Sequence, residues 1–131
     1  MALIAQEAQR YSNLVKEELW HEKGYCTKQV IVNDAAGTLA LGTVLGQVTV
    51  GGKYKVAKET ASDGSKVGAA VVVEAITIPA ATDTKVLVMY RGPAELSKGA
   101  LVVDATYDNA TKLGVLYADL EAKGLQIADA V

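Results

Sequence analysis

"GSKVGAAVVVEAITIPA", residues 64–80, carries one lysine and one glutamate in a run of small and β-branched side chains. Such side chains pack well on a pleated surface, and proline cannot donate to a ladder, so Val67 to Ile78 reads as a strand that Pro79 ends. Apolar residues at consecutive positions imply cover on both faces of that strand. What the run offers is surface to bury.

Its neighbours share the grammar. "TKVLVMYRG" (84–92) is a second strand of the same kind, followed by Pro93, and "KQVIVND" (28–34) is a strand that ends in Asn-Asp. "GTLALGTVLGQVTVGGKYKVA" (37–57) breaks at Gly42 and again at Gly51-Gly52. Within it, Val44, Val48 and Val50 are expected on one face and Leu45, Gln47 and Thr49 on the other. Gly51-Gly52 is placed for a two-residue hairpin turn, because glycine tolerates the positive φ such turns need. "ETASDGSK" (59–66) is a polar loop. One segment has a different period: in "DNATKLGVLYADLEAKG" (108–124), Leu113, Leu116, Tyr117 and Leu120 recur at i, i+3, i+4 and i+7. Asp108 or Asn109 can cap this helix of about four turns, and Gly124 can end it. A short strand, "LQIA" (125–128), follows.

Composition narrows the function. The chain has 131 residues, one domain's worth, with 13 basic and 15 acidic side chains and a net charge of -2. That balance provides no field for gathering phosphate backbones, so nucleic acid is not an expected partner. No stretch approaches the roughly 20 apolar residues that span a bilayer, and no signal-peptide pattern opens the chain, so a protein made in a cytoplasm and without membrane contact is expected. A lone cysteine, Cys26, cannot form an intrachain disulfide. Phenylalanine is absent, and alanine and valine dominate the apolar half. Small side chains bury little area each, so the core of a monomer is thin, and burying more surface against copies of itself or a partner would add to it.

Reactive constellations fail one by one. His21, Glu22 and Cys26 in "HEKGYC" could ligate a metal, but a tetrahedral site needs a further Cys or His and the chain has neither. Any Ser/His or Cys/His pair must use His21, the single histidine. "GQVTVGGK" (46–53) departs from a phosphate loop at Gln47, where glycine is needed, and at Tyr54, where Ser or Thr would hold magnesium. "NAT" at Asn109 reads as a helix cap rather than a glycosylation acceptor. Glu74 and Glu95 could pair for acid–base work only if the fold brought them together. No catalytic, cofactor-binding or metal-binding residue is expected, and no enzyme.

Residues 1–27 differ from the rest. They are polar and mixed, and "LVKEELWHEKGYC" (14–26) holds the only Trp and His. The segment reads either as weak helix from Ala5 to Trp20 or as an extended strand that pairs with a partner's edge. Leu14, Val15, Leu19, Trp20 and Tyr25 are its candidate interface anchors, with Trp20 alternatively closing the domain's own core. An N-terminal arm over 1–27 and a β-rich domain over 28–131 are the expected divisions. As an arm, residues 1–19 would be dispensable for folding.

Four segments, "GTLALGTVLGQVTVGGKYKVA", "DGSKVGAAVVVEAI" (63–76), "VLVMYRGPAELSKGALV" (86–102) and "LYADLEAKGLQIADAV" (116–131), occur in an order and at a spacing that resemble the lambda-type bacteriophage head decoration proteins. The resemblance runs from about Asn13 to Val131. It implies a mainly β fold: a small, compact β-rich domain of β-barrel or tulip-like shape, with one helix in the C-terminal region and an extended N-terminal arm. It implies a homotrimer on the outer surface of the virion, bound to the major capsid protein at the three-fold and quasi-three-fold sites of the expanded head. There it would act as a cement against the pressure of packaged DNA, with no cofactor. The arm residues Leu14, Val15, Leu19, Trp20 and Tyr25 would then touch the capsid. The alternative is a β-barrel binding or carrier module of the lipoyl or receptor-binding type, in which Lys53 would be the modifiable lysine at a hairpin tip.

Overall fold

The computed structural model describes residues 14–18 and 26–128. Along these the chain forms β1 (Val15–Glu18), β2 (Thr27–Val32), β3 (Gly37–Leu39), β4 (Val44–Gln47), β5 (Tyr54–Val56), β6 (Gly68–Val72), β7 (Ile76–Ile78), β8 (Thr84–Met89), β9 (Ala94–Ser97), α1 (Ala110–Glu121) and β10 (Leu125–Ala128). Among the described residues the fold is mainly β, with a single α-helix near the C-terminal end.

Five strands close into a barrel in the order β2-β5-β4-β6-β8, so none of them keeps a free edge. The longest ladder is β2 against β8, antiparallel from Thr27↔Met89 at one end to Val32↔Thr84 at the other. Because side chains alternate, each wall strand serves two cores. Val30, Val32, Leu45, Tyr54, Ala70, Val72, Val86 and Val88 form one cluster inside the barrel, joined by Leu39 and Ile78 from the two-stranded β3–β7 sheet. The intervening positions Val44, Val71, Val73 and Met89 face outward into a second cluster with Leu14, Leu96, Leu116, Leu120 and Leu125. Consecutive valines at 71–73 are therefore buried on both faces, which is what their unbroken apolar pattern requires.

Outside the barrel, β9 lies between β1, antiparallel to it, and β10, parallel to it. Helix α1 lies across β6 and β10. Asn109 caps it, its Oδ1 accepting from the Lys112 N–H at 2.9 Å. Leu116 and Leu120 are fully buried, with Leu113 and Tyr117 half-buried beside them. Leu116 Cδ1 stands 3.0 Å from where a Cβ on Gly68 would be, so the missing side chain lets the helix settle on β6.

Four expectations change. Val67–Ile78 is not one strand: the chain leaves the barrel at the exposed Glu74 and Ala75, and β7 pairs with β3 instead. The β4–β5 connection is not a two-residue turn. It spans 48–53, because Thr49 N–H bonds out of the ladder to the Asp63 carbonyl at 2.9 Å while Val48 N–H closes the loop on the Lys53 carbonyl. Gly51 and Gly52 do take positive φ there, +91° and +73°. The facial pattern expected for 44–50 holds at Val44 and Leu45, buried on opposite sides of the wall, and ends with β4 at Gln47, so that Val50 is 86% exposed at the tip. Helix α1 has 12 residues, slightly over three turns, shorter than the span suggested by its stripe.

Candidate functional site

The N-terminal anchors separate into two groups. Leu14 and Val15 are 0% and 7% exposed, within the outer core cluster of their own chain. Val15 sits opposite Leu96, Glu17 opposite Glu95 and Glu18 opposite Ala94. This part of the presumed arm is thus a strand of the β domain, and its two apolar side chains are committed to its own core. Leu19, Trp20 and Tyr25 lie outside the described residues, as do His21 and Glu22.

The reactive candidates are engaged in structure. Cys26 is buried, and its thiol donates to the Pro93 carbonyl at 3.8 Å. Among the described residues no three of His, Cys, Asp and Glu come together to hold a metal ion. The glycine loop at 46–53 is a connection between strands, with Gln47 Nε2 donating to the Gly52 carbonyl at 3.0 Å. Glu74 is exposed beyond the end of β6, whereas Glu95 is half-buried in β9. Lys53, the carrier candidate, is ion-paired with Asp83 at 2.9 Å.

Asp83 was not singled out by sequence, and nothing in its polar loop signals its role. Its carboxylate accepts from Asn33 Nδ2 at 2.8 Å as well as pairing with Lys53. Asp34 does similar work nearby: its carboxylate accepts the Val56 N–H at 3.0 Å, and its carbonyl accepts the Ala81 N–H at 2.9 Å. Together these bonds tie the loops at 33–36, 48–53 and 79–83 into one end of the barrel. The hydrogen bond from Asn33, with help from Lys53, holds the Asp83 carboxyl below its ordinary value. At that end Ala35, Ala36, Val50, Pro79, Ala80 and Ala81 are exposed around a pair of charges that neutralise each other.

A second brace holds the 59–68 loop. Ser65 is 2% exposed, and its N–H and hydroxyl both donate to Asp63 Oδ1, lowering that carboxyl's pKa. Tyr107 donates its hydroxyl to the Lys66 carbonyl at 2.6 Å. Burial first, and then the charges of Asp119, Glu59 and Asp104, push the Tyr107 phenol up to about 12.

The described residues form a closed barrel flanked by a strand-and-helix layer, with loops braced by Asp34, Asp63 and Asp83. The family model of the bacteriophage lambda head decoration protein D matches residues 6–128, nearly the whole chain, and the chain belongs to that family. No curated protein sequence matches it. Membership supports a phage capsid decoration role and a place on the virion; the family is structural and not one of known enzymes. No helix among the described residues is long and apolar enough to cross a membrane.

Proposed function

We propose that the protein is a cement for the expanded phage head, binding the major capsid protein from outside as a homotrimer at three-fold and quasi-three-fold sites and resisting internal DNA pressure. The family match over residues 6–128 carries this reading. The absence of phenylalanine and the use of Ala and Val through the core support the trimer, because association adds buried area that small side chains alone supply sparingly. With Leu14 and Val15 buried in the chain's own core, Leu19, Trp20 and Tyr25 are the arm residues proposed to meet the capsid. In the carrier alternative, Lys53, the modifiable lysine, would have to leave its ion pair with Asp83.

Light scattering of the purified protein, followed by co-sedimentation with expanded and unexpanded heads, tests the reading. Binding to expanded heads with trimer mass, alone or on the head, is the expected result. Changing Leu19, Trp20 and Tyr25 to Ser should abolish co-sedimentation with no change in melting temperature, since apolar anchors supply most interface energy. Full binding by this triple variant would move the contact off the arm and onto the β domain.

A further inference from the structure

Asp63 and Gly64, in the 59–68 loop, form an Asp-Gly pair. In such a pair the glycine amide has no side chain in its way, and its nitrogen can attack the aspartyl Cγ wherever the chain is free to rotate. The N–Cγ bond forms, the carboxyl hydroxyl and the amide hydrogen leave as water, and a five-membered succinimide results. Water then opens either carbonyl of the ring. One opening restores aspartate; the other leaves isoaspartate, equal in mass but with one more methylene in the main chain.

The fold requires both residues where they stand. Gly64 sits at φ +99°, and a Cβ there would collide with Thr49 Oγ1 and crowd the Gln47 carbonyl at 3.2 Å. Asp63 braces the buried Ser65: its Oδ1 accepts the Ser65 N–H at 3.1 Å and hydroxyl at 2.5 Å, while Oδ2 faces Lys55 Nζ at 3.5 Å. The Asp63 carbonyl belongs to the peptide bond whose nitrogen would attack, and it accepts the Thr49 N–H at 2.9 Å. Carboxylate and peptide plane are thus both anchored, one to Ser65 and the other to the β4–β5 connection, which stops the Gly64 amide from turning onto Cγ. The Ser65 bonds also hold the carboxyl below its ordinary value, so it stays ionised and lacks the hydroxyl that has to leave.

We propose that Asp63-Gly64 is a built-in isomerisation site, kept closed by the grip of Ser65 and Thr49 on Asp63 and reactive only when the 59–68 loop lets go of the β4–β5 connection. The chemistry is independent of capsid binding.

Tryptic cleavage after Lys58 and Lys66 releases residues 59–66, "ETASDGSK", in which chromatography separates isoaspartate from aspartate and electron-transfer fragmentation identifies it. Full-length protein aged in warm, mildly acidic buffer before digestion should accumulate isoaspartate at least about ten-fold more slowly than the same synthetic peptide, because only the open form reacts. Ser65→Ala should raise the protein's rate at least about three-fold, with hydrogen exchange in β4 and β6 unchanged, because one hydrogen bond of the grip is gone. If Ser65→Ala folds poorly, the parent decides alone. Through a series of sub-denaturing urea concentrations its isomerisation should quicken in step with exchange of the Thr49 N–H, which reports release of the Asp63 carbonyl. Parent protein that isomerises as fast as the peptide would overturn the proposal. So would a rate that ignores Thr49 exchange, or a folded Ser65→Ala protein that reacts no faster than the parent; slower reaction would make the Ser65 hydroxyl a catalyst of ring closure instead of a restraint.

Discussion

Gly92 and Gly124 lie backbone to backbone, with the carbonyl of Gly124 standing where a Cβ on Gly92 would have to go. The contact is bonded on both sides: Gly92 N–H donates to the Lys123 carbonyl at 2.9 Å and Ala94 N–H to the Gly124 carbonyl at 3.2 Å. It joins the end of α1 to the start of β9 and so fixes the Leu125↔Ala94 register of β10. Gly92→Ala must push backbone against backbone and is expected to cost at least ~2 kcal/mol in chemical denaturation. Gly124→Ala adds a second strain, since Gly124 sits at φ +86°. An unchanged denaturation midpoint for Gly92→Ala would mean that the junction yields.

Helix docking can be tested at Leu116, which is fully buried against β6. Leu116→Ala should cost about 2–5 kcal/mol through the lost side chain and the cavity it leaves. Leu116→Asp should be worse, because it also places a carboxylate in an apolar site. Thermal melts of parent and variants that coincide would disprove the packing.

Deleting residues 1–19 should destabilise the domain, contrary to what a free arm would imply. The deletion removes Leu14 and Val15 from the outer cluster and the whole of β1 from its ladder with β9. Two buried aliphatic side chains are worth roughly 1.5–3 kcal/mol each, so a loss of several kcal/mol or insoluble protein is expected. A truncated protein that melts with the parent would show β1 to be dispensable.

Acid should loosen the two carboxylate braces. Asp63 and Asp83 are both held below the ordinary 3.8, by the Ser65 hydroxyl and by Asn33 respectively. The unfolded chain therefore binds protons more readily, so their contribution is fully present above about pH 4–5 and disappears as pH falls through the folded values. Asp83→Asn should flatten the fall of melting temperature below that range and lower stability at neutral pH. An acid limb identical to the parent's would remove Asp83 from this account.

Alkali should act at Tyr107. Its phenol is pushed up to about 12 in the folded chain, above the ordinary 10.0. The stabilisation is complete below the lower value and is lost as pH rises between the two. Tyr107→Phe should cost ~1–2 kcal/mol at neutral pH by leaving the Lys66 carbonyl without its donor, and should remove that alkaline step. Spectrophotometric titration of tyrosinate alongside melts at each pH reads both effects.

How legible each part was depended on the reach of the interactions that make it. Helix α1 was readable because cap, stripe and terminating Gly124 fall in one short window. Strands β6 and β8 were readable because burial on both faces leaves an unbroken apolar run. Strand β9, "AELS", has little β propensity; it is a strand because β1 and β10 hold it from both sides, and those partners are far along the chain. The same distance concealed Leu14 and Val15: a ragged apolar pair looks alike whether it waits for a partner or packs on Leu96. Val50 was misassigned because a local alternation cannot foresee that Thr49 bonds to Asp63.

The central position of β9 also determines where β1 begins and where β10 ends. Val15 lies beside Leu96 on one flank and Ala128 beside Ser97 on the other, so both point out of the same end of the small sheet. Two strand spacings separate them, roughly 10 Å. A short linker could therefore join Ala128 to Leu14, and new termini could be opened at the exposed 48–53 loop without crossing the core. Cargo carried on the reopened loop would stand at the barrel end braced by Asp34 and Asp83.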